Sequence, residues 1–218
     1  MSKYFESVKQ FNTLAGSLDN VTQQSLILQT SFIWEEFANE MIEAFEEGDA
    51  VEFLDGVADT YVTACGLLQM LGRDWYLRDL IPIKITNKAD TDCYISEMFM
   101  KLEMIVETVN KEFTETSTES IYYYLSEFIY RLEVIMNYLA CELKVDIGGV
   151  LDAVNENNLS KFPTIESGYV EIREGMTRSV RDGFIIIKNE AGKVQKPTTF
   201  VSVDLVPFVT KELEEFLK

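Results

Sequence analysis

A chain of 218 residues, 47% of them hydrophobic and only four of them proline, is long enough to bury a sizeable core and has the composition of a globular, mostly helical protein. Its 37 acidic and 19 basic side chains give a net charge of −18, which excludes a general binder of nucleic-acid polymers or anionic membranes, since phosphate polyanions attract excess Lys and Arg. Histidine is absent, so any chemistry falls to carboxylates, Lys, Tyr and metal. Three widely spaced cysteines (Cys65, Cys93, Cys141) form neither a zinc pattern nor a disulfide framework and read as reduced thiols in a cytoplasm. The N-terminus MSKYFESVKQ has no apolar core, and no stretch approaches eighteen consecutive apolar residues, so export and membrane spanning are not expected.

In chain order, Phe5, Val8 and Phe11 at helical spacing predict a short helix over 4–15, capped by Gly16. A second helix is expected over 21–46, where Leu26, Thr30, Ile33, Phe37, Met41 and Ala44 form one stripe that ends at Gly48. Asp49, with Glu52 three positions on, starts a third helix over 51–71 that is apolar on nearly every side and should be buried. Residues 73–92, with Pro82 and turn residues, read as a connecting loop. Two more amphipathic stripes follow, Ile95 to Phe113 and Ile121 to Leu139, forming a second helical hairpin over 93–145. Asp55 and Asp59 precede Asp74 by the same intervals at which Glu127 and Arg131 precede Asp146, a hint of duplication in which Arg131 replaces an acid. After Asn158, short β-prone runs at 170–173, 177–180, 184–188, 193–195 and 200–203 predict a small β-meander, with Asp182-Gly183 as one turn. The expected class is therefore mainly α, a helical bundle over 1–162 with a β-rich C-terminal appendage over 163–218.

The charge distribution singles out residues 32–61. No Lys or Arg occurs between Lys9 and Arg73, yet eleven acids fall in that interval, so something outside it must neutralise them. Glu36/Glu40 and Asp55/Asp59 are both i, i+4 pairs, each projecting from one face of its helix. Antiparallel packing would bring the pairs together, and Asp55 and Asp59 lie in an otherwise apolar helix that tolerates them only with partners. Oxygen-only ligands suit Mg²⁺ or Mn²⁺, which keep several waters and accept phosphate oxygens from a nucleotide. Glu35, Glu46 and Glu47 are assigned to the solvated face. The tail carries nine of the 19 basic residues over 160–218, and Lys161, Lys193 and Lys196 are candidates to meet a triphosphate or a neighbouring subunit. Trp34, Phe37, Tyr61 and Trp75 are aromatic candidates for stacking on a base, although aromatics at helical spacing more often fill cores.

The block WEEFANEMIEAFEEGD followed by EFLDGVADTYVTACG, with NENNLSKF and NEAGKVQKPTTFVSVDLVPF further on, resembles the MazG-like all-α nucleoside triphosphate pyrophosphohydrolases, especially their phage branch. The resemblance covers 5–74 and 146–208 and leaves the second hairpin poorly matched. It implies a MazG-like bundle that hydrolyses an NTP or dNTP to the monophosphate and pyrophosphate with Mg²⁺, as a homodimer or homotetramer controlling a nucleotide pool, in the host cytoplasm if phage-encoded. By position it implies Glu36, Glu40, Asp55 and Asp59 as metal ligands, with Glu36, Glu40 and Asp59 catalytic, and Asn158 and Lys161 as substrate contacts. One departure stands out: the family's Glu-Glu-x-x-Glu is one residue longer here, at Glu35 to Glu40. Either Phe37 replaces a ligand, or a helix bulge restores the geometry. Two other readings compete: a catalytically inactive relative that binds nucleotide or protein, and phosphoribosyl-ATP hydrolysis, which ranks last because no dedicated basic phosphate motif is present.

Overall fold

The computed structural model describes residues 2–74, 85–111, 114–169 and 173–218. Trp75, Phe113, half of the expected 73–92 loop and most of the 170–173 run lie outside the described residues. The fold is mainly helical with one small antiparallel sheet, and among the described residues no helix is long and apolar enough to cross a membrane.

The organising helix is α4 (Ala50–Met70), with most of its length buried, including Phe53, Leu54, Val57, Tyr61, Leu67 and Leu68. Its start follows from local chemistry: Asp49 accepts hydrogen bonds from the amides of Val51 and Glu52, satisfying donors that a helix N-terminus leaves open. Ahead of it, α2 (Gln23–Trp34), a π-helical segment (Glu35–Met41) and α3 (Ile42–Glu47) make one continuous rod that turns back through Gly48 at φ 78°, a left-handed conformation suited to glycine. In the π segment the Ile42 amide bonds to the Phe37 carbonyl, five residues back, so one extra residue is absorbed without breaking the helix. The lengthened acidic motif is thus a helix bulge. Phe37 is fully buried, edge-on to Phe128 at 5.1 Å, and can coordinate nothing.

Close approach of α4 to this bulge depends on Gly56. A Cβ placed there would lie 2.7 Å from the Met41 Cα and 2.8 Å from its amide nitrogen, so only glycine lets the two backbones meet. The remaining helices wrap this pair. α5 (Lys88–Asn110) and α6 (Glu115–Cys141) form a hairpin that packs on α2 and α4, while α1 (Ser2–Ala15) and α7 (Ile147–Leu159) cover α4 from another side. α5 begins earlier than the turn residues of 73–92 suggest, because Asn87 caps it by accepting from the Asp90 amide.

The tail differs from the expected meander. Among the described residues only β1 (Met176–Arg181) and β2 (Phe184–Asn189) pair as strands, through the Asp182-Gly183 turn, with Asp182 at φ 49° and Gly183 at φ 83°. The 193–195 run contributes a single bridge, Val194 to Lys188, and 200–203 forms no strand; Val201 is exposed and has no strand beside it among the described residues to complete a ladder. Buried Ile186 joins Leu14, Ala15 and Phe162 in a small second core under the hairpin. The chain then returns to the bundle, where α8 (Lys211–Leu217) buries Leu213 and Leu217 and Phe216 packs on Phe45 and Tyr138.

Replacing Gly56 by Ala should lower the unfolding free energy by about 1–3 kcal/mol through overpacking, read as an earlier denaturant midpoint. An unchanged midpoint would mean that α4 and the π segment do not touch as described.

Candidate functional site

The π segment, α4, α7 and the turn after β2 meet around Asp59. Asp59 is half-buried and lines two adjoining cavities, of about 110 Å³ and about 250 Å³, together with Asn158 and Lys161. The smaller is flanked by Glu36, Phe11, Phe32 and Val62; the larger by Glu52, Asp55, Lys196 and Ser202.

Asp59 is held by a short relay. Asn158, buried on α7, donates through Nδ2 to Asp59 Oδ1 at 3.2 Å, and Lys161 Nζ donates to Asn158 Oδ1 at 2.5 Å. Burial still dominates and holds the Asp59 carboxyl above its ordinary range, while the charges of Lys161, Lys196 and Lys193 and the Asn158 hydrogen bond pull it down. Lys161 is lowered by burial and by the neighbouring lysines, with Asp59 and Glu36 opposing. Asp55 is pushed up to about 7, chiefly by burial, then by Asp59, Glu52 and Glu40, with Lys196 opposing. Glu36 is raised further, by burial first and then by Asp59 and Glu40, with the Glu40 carboxyl within hydrogen-bonding reach.

Glu36, Glu40, Asp55 and Asp59 therefore share one electrostatic neighbourhood, with Glu40 at its exposed edge. Among the described residues, however, no three carboxylate or thiol side chains are gathered closely enough to hold a metal ion outright. The donor set nonetheless suits a hard divalent cation: all four groups present oxygens, and at Glu36 and Asp55 burial and like-charged neighbours outweigh the opposing charges.

Two assignments change. Glu35, read from sequence as part of the solvated face, is half-buried and bound by Lys193, whose Nζ lies 2.9 Å from Glu35 Oε2 and 5.2 Å from the Phe32 ring centre. The missing local counter-charge is supplied by the tail, with Lys161, Lys193 and Lys196 all acting on Asp59. Of the aromatic candidates, Trp34 packs on Phe99, Phe37 is core, and Tyr61 faces a separate cavity with Tyr4 and Tyr130; Phe11 and Phe32 line the site instead. Asn12 and Gln29 also line it, as polar residues on largely apolar helix faces. In the second hairpin, Arg131 binds both Glu97 (2.6 Å) and Glu127 (2.9 Å), so those acids carry their own cation.

The raised carboxyls fix a pH response. Between about pH 4 and the folded-state values the native protein binds more protons than the unfolded chain, so stability is fully present at low pH and declines as pH rises through about 7. Asp19, Asp90 and Glu107 are lowered and act only below that window, and no histidine titrates within it. Metal-free protein should melt at a lower temperature at about pH 8 than at about pH 5.5, and millimolar Mg²⁺ should recover part of the loss at the higher pH. A melting temperature that rises with pH, or is indifferent to Mg²⁺ at both values, would contradict this site. No protein-family model, curated protein or solved structure matches the chain.

Proposed function

We propose that this protein is a Mg²⁺-dependent nucleoside triphosphate pyrophosphohydrolase of the MazG-like kind. The observation that carries the reading is the meeting of mutually repelling carboxylates from the first hairpin with three lysines from the tail, around two adjoining cavities that share Asp59. A cation and a polyphosphate together satisfy both halves; neither alone does. Glu36, Glu40, Asp55 and Asp59 are the residues that would hold the ion. Bound there, Mg²⁺ supplies polarisation of the phosphoryl oxygens and a more acidic water. Lys161 and Lys196, on the larger cavity, and Lys193, on the smaller, are placed to bind phosphate oxygens and to stabilise the charge that collects on departing pyrophosphate. Water attacks the α-phosphorus, the bond to the bridging oxygen breaks with its electron pair going to pyrophosphate, and Glu36 or Glu40 takes the water's proton. The Asn158 hydrogen bond fixes the orientation of Asp59 and ties it to Lys161, so a group on the metal side and a group on the phosphate side are set by one buried amide.

A second reading, nucleotide binding without turnover, is favoured by one observation: no three acids stand close enough to hold a metal outright among the described residues. A panel of all NTPs and dNTPs with Mg²⁺, scored separately for pyrophosphate and orthophosphate, separates the two. Pyrophosphate release from at least one nucleotide is expected, and Asp59→Asn should reduce it by roughly 10²-fold or more. Release that survives Asp59→Asn would sink the site assignment, and calorimetric binding with no turnover of any nucleotide would favour the second reading.

A further inference from the structure

The smaller cavity has a chemical bias of its own. Asn12 and Gln29 are only 5% and 9% exposed, in a lining that also includes Phe11, Phe32 and Val62. Their amide orientations are dictated by backbone carbonyls, which can only accept. Gln69 Nε2 donates to the Phe5 carbonyl at 2.7 Å, which leaves Gln69 Oε1 to accept from Asn12 Nδ2 at 2.9 Å. Gln29 Nε2 donates to the Thr63 carbonyl at 2.8 Å. Flipping either amide would set oxygen against oxygen. Both NH₂ groups also lie over Gly66, where a Cβ would come within 2.8 Å of Gln29 Nε2 and 3.2 Å of Asn12 Nδ2. With one N–H of each amide fixing its orientation, Asn12 Oδ1 and Gln29 Oε1 have no hydrogen-bond partner among the described residues, on side chains that line the cavity.

We propose that these two carbonyl oxygens read the exocyclic amino group of a nucleobase, so that the site takes cytosine, adenine or guanine nucleotides in preference to uracil, thymine or hypoxanthine ones. The proposal rests on the nucleotide reading above for the placement of the phosphates beyond Asp59. The aromatic and aliphatic wall suits the faces of a planar base, and Glu36, Asp59 and Lys161 border the same cavity on its charged side. Two acceptors that a bound base cuts off from water demand donors from that base. An amino group supplies two hydrogens, whereas the carbonyl that replaces it in uracil or hypoxanthine sets an acceptor against acceptors and returns no hydrogen bond to either oxygen. The expected discrimination is roughly 10- to 100-fold.

The test uses pairs differing at that one group. With wild-type protein and Mg²⁺, kcat/KM for pyrophosphate release should favour dCTP over dUTP and dATP over dITP by about 10-fold or more. Ratios near or below one overturn the proposal, as does a preference that follows ribose against deoxyribose and ignores the base. If no triphosphate is turned over, the hydrolase reading fails by itself, and calorimetry with dCMP and dUMP still decides: tighter dCMP supports the proposal, while equal affinity or no binding overturns it. Gln29→Met keeps the side-chain length and removes the carbonyl, so it should narrow the dCTP/dUTP ratio at least several-fold; an unchanged ratio in the folded variant also overturns it.

Discussion

Everything near the candidate site depends on a carboxylate that the fold carries where carboxylates are costly. Asp59 sits on the helix around which the rest of the bundle is wrapped, and burial holds its proton affinity up against the pull of three lysines. The surrounding elements answer that one cost. Asn158 is buried on α7 and spends its amide on Asp59; Lys161 follows one turn later and completes the relay. The turn after β2 brings Lys193 onto Glu35. The small hairpin thus does more than decorate the bundle, because its packing on Leu14, Ala15 and Phe162 holds that turn against the site.

The backbone makes the same point. A π turn has poorer hydrogen-bond geometry than an α turn and persists where packing over-determines it. Here Ile33, Phe37 and Met41 are all fully buried, and the bulge lets Glu36 line the cavity while Phe37 stays in the core. Gly56 then allows α4 to close on Met41, which sets the distance between the two acidic pairs. One inserted residue and one missing side chain together define the carboxylate neighbourhood.

The long helices were legible because their apolar positions recur every three or four residues and their ends carry Asp49, Gly16 and Gly48. α7 was not, since Asn155 and Asn158 occupy its buried face and blur the apolar stripe. The 200–203 run looked like a strand because β-propensity is local, while a strand exists only when another chain segment completes its ladder. The acids of the site could be named from their placement in an apolar helix. Which lysine meets which acid could not, since Lys193 and Glu35 stand 158 residues apart and only the fold sets that contact. Asn12 and Gln29 are silent in the sequence for a related reason: a buried amide is informative only once the fold shows where its donors go.

The two helical hairpins show alternative answers to the same electrostatic problem. On α6, Glu127 and its neighbour Glu97 close on Arg131, whose side chain is only 14% exposed; the charge is settled within the second hairpin and nothing further is required. In the first hairpin the cations come from far along the chain and are largely committed, Lys193 to Glu35 and Lys161 to the relay. At Glu36 and Asp55 burial and neighbours of their own sign outweigh the lysines, and their proton affinity is raised. A proton and a divalent cation are interchangeable solutions at such a position, which makes the first hairpin receptive where the second is closed. Because the lysines already face the same space, a cation that displaces those protons also leaves them freer to meet an anion, so the ion and a phosphate chain should favour each other's binding.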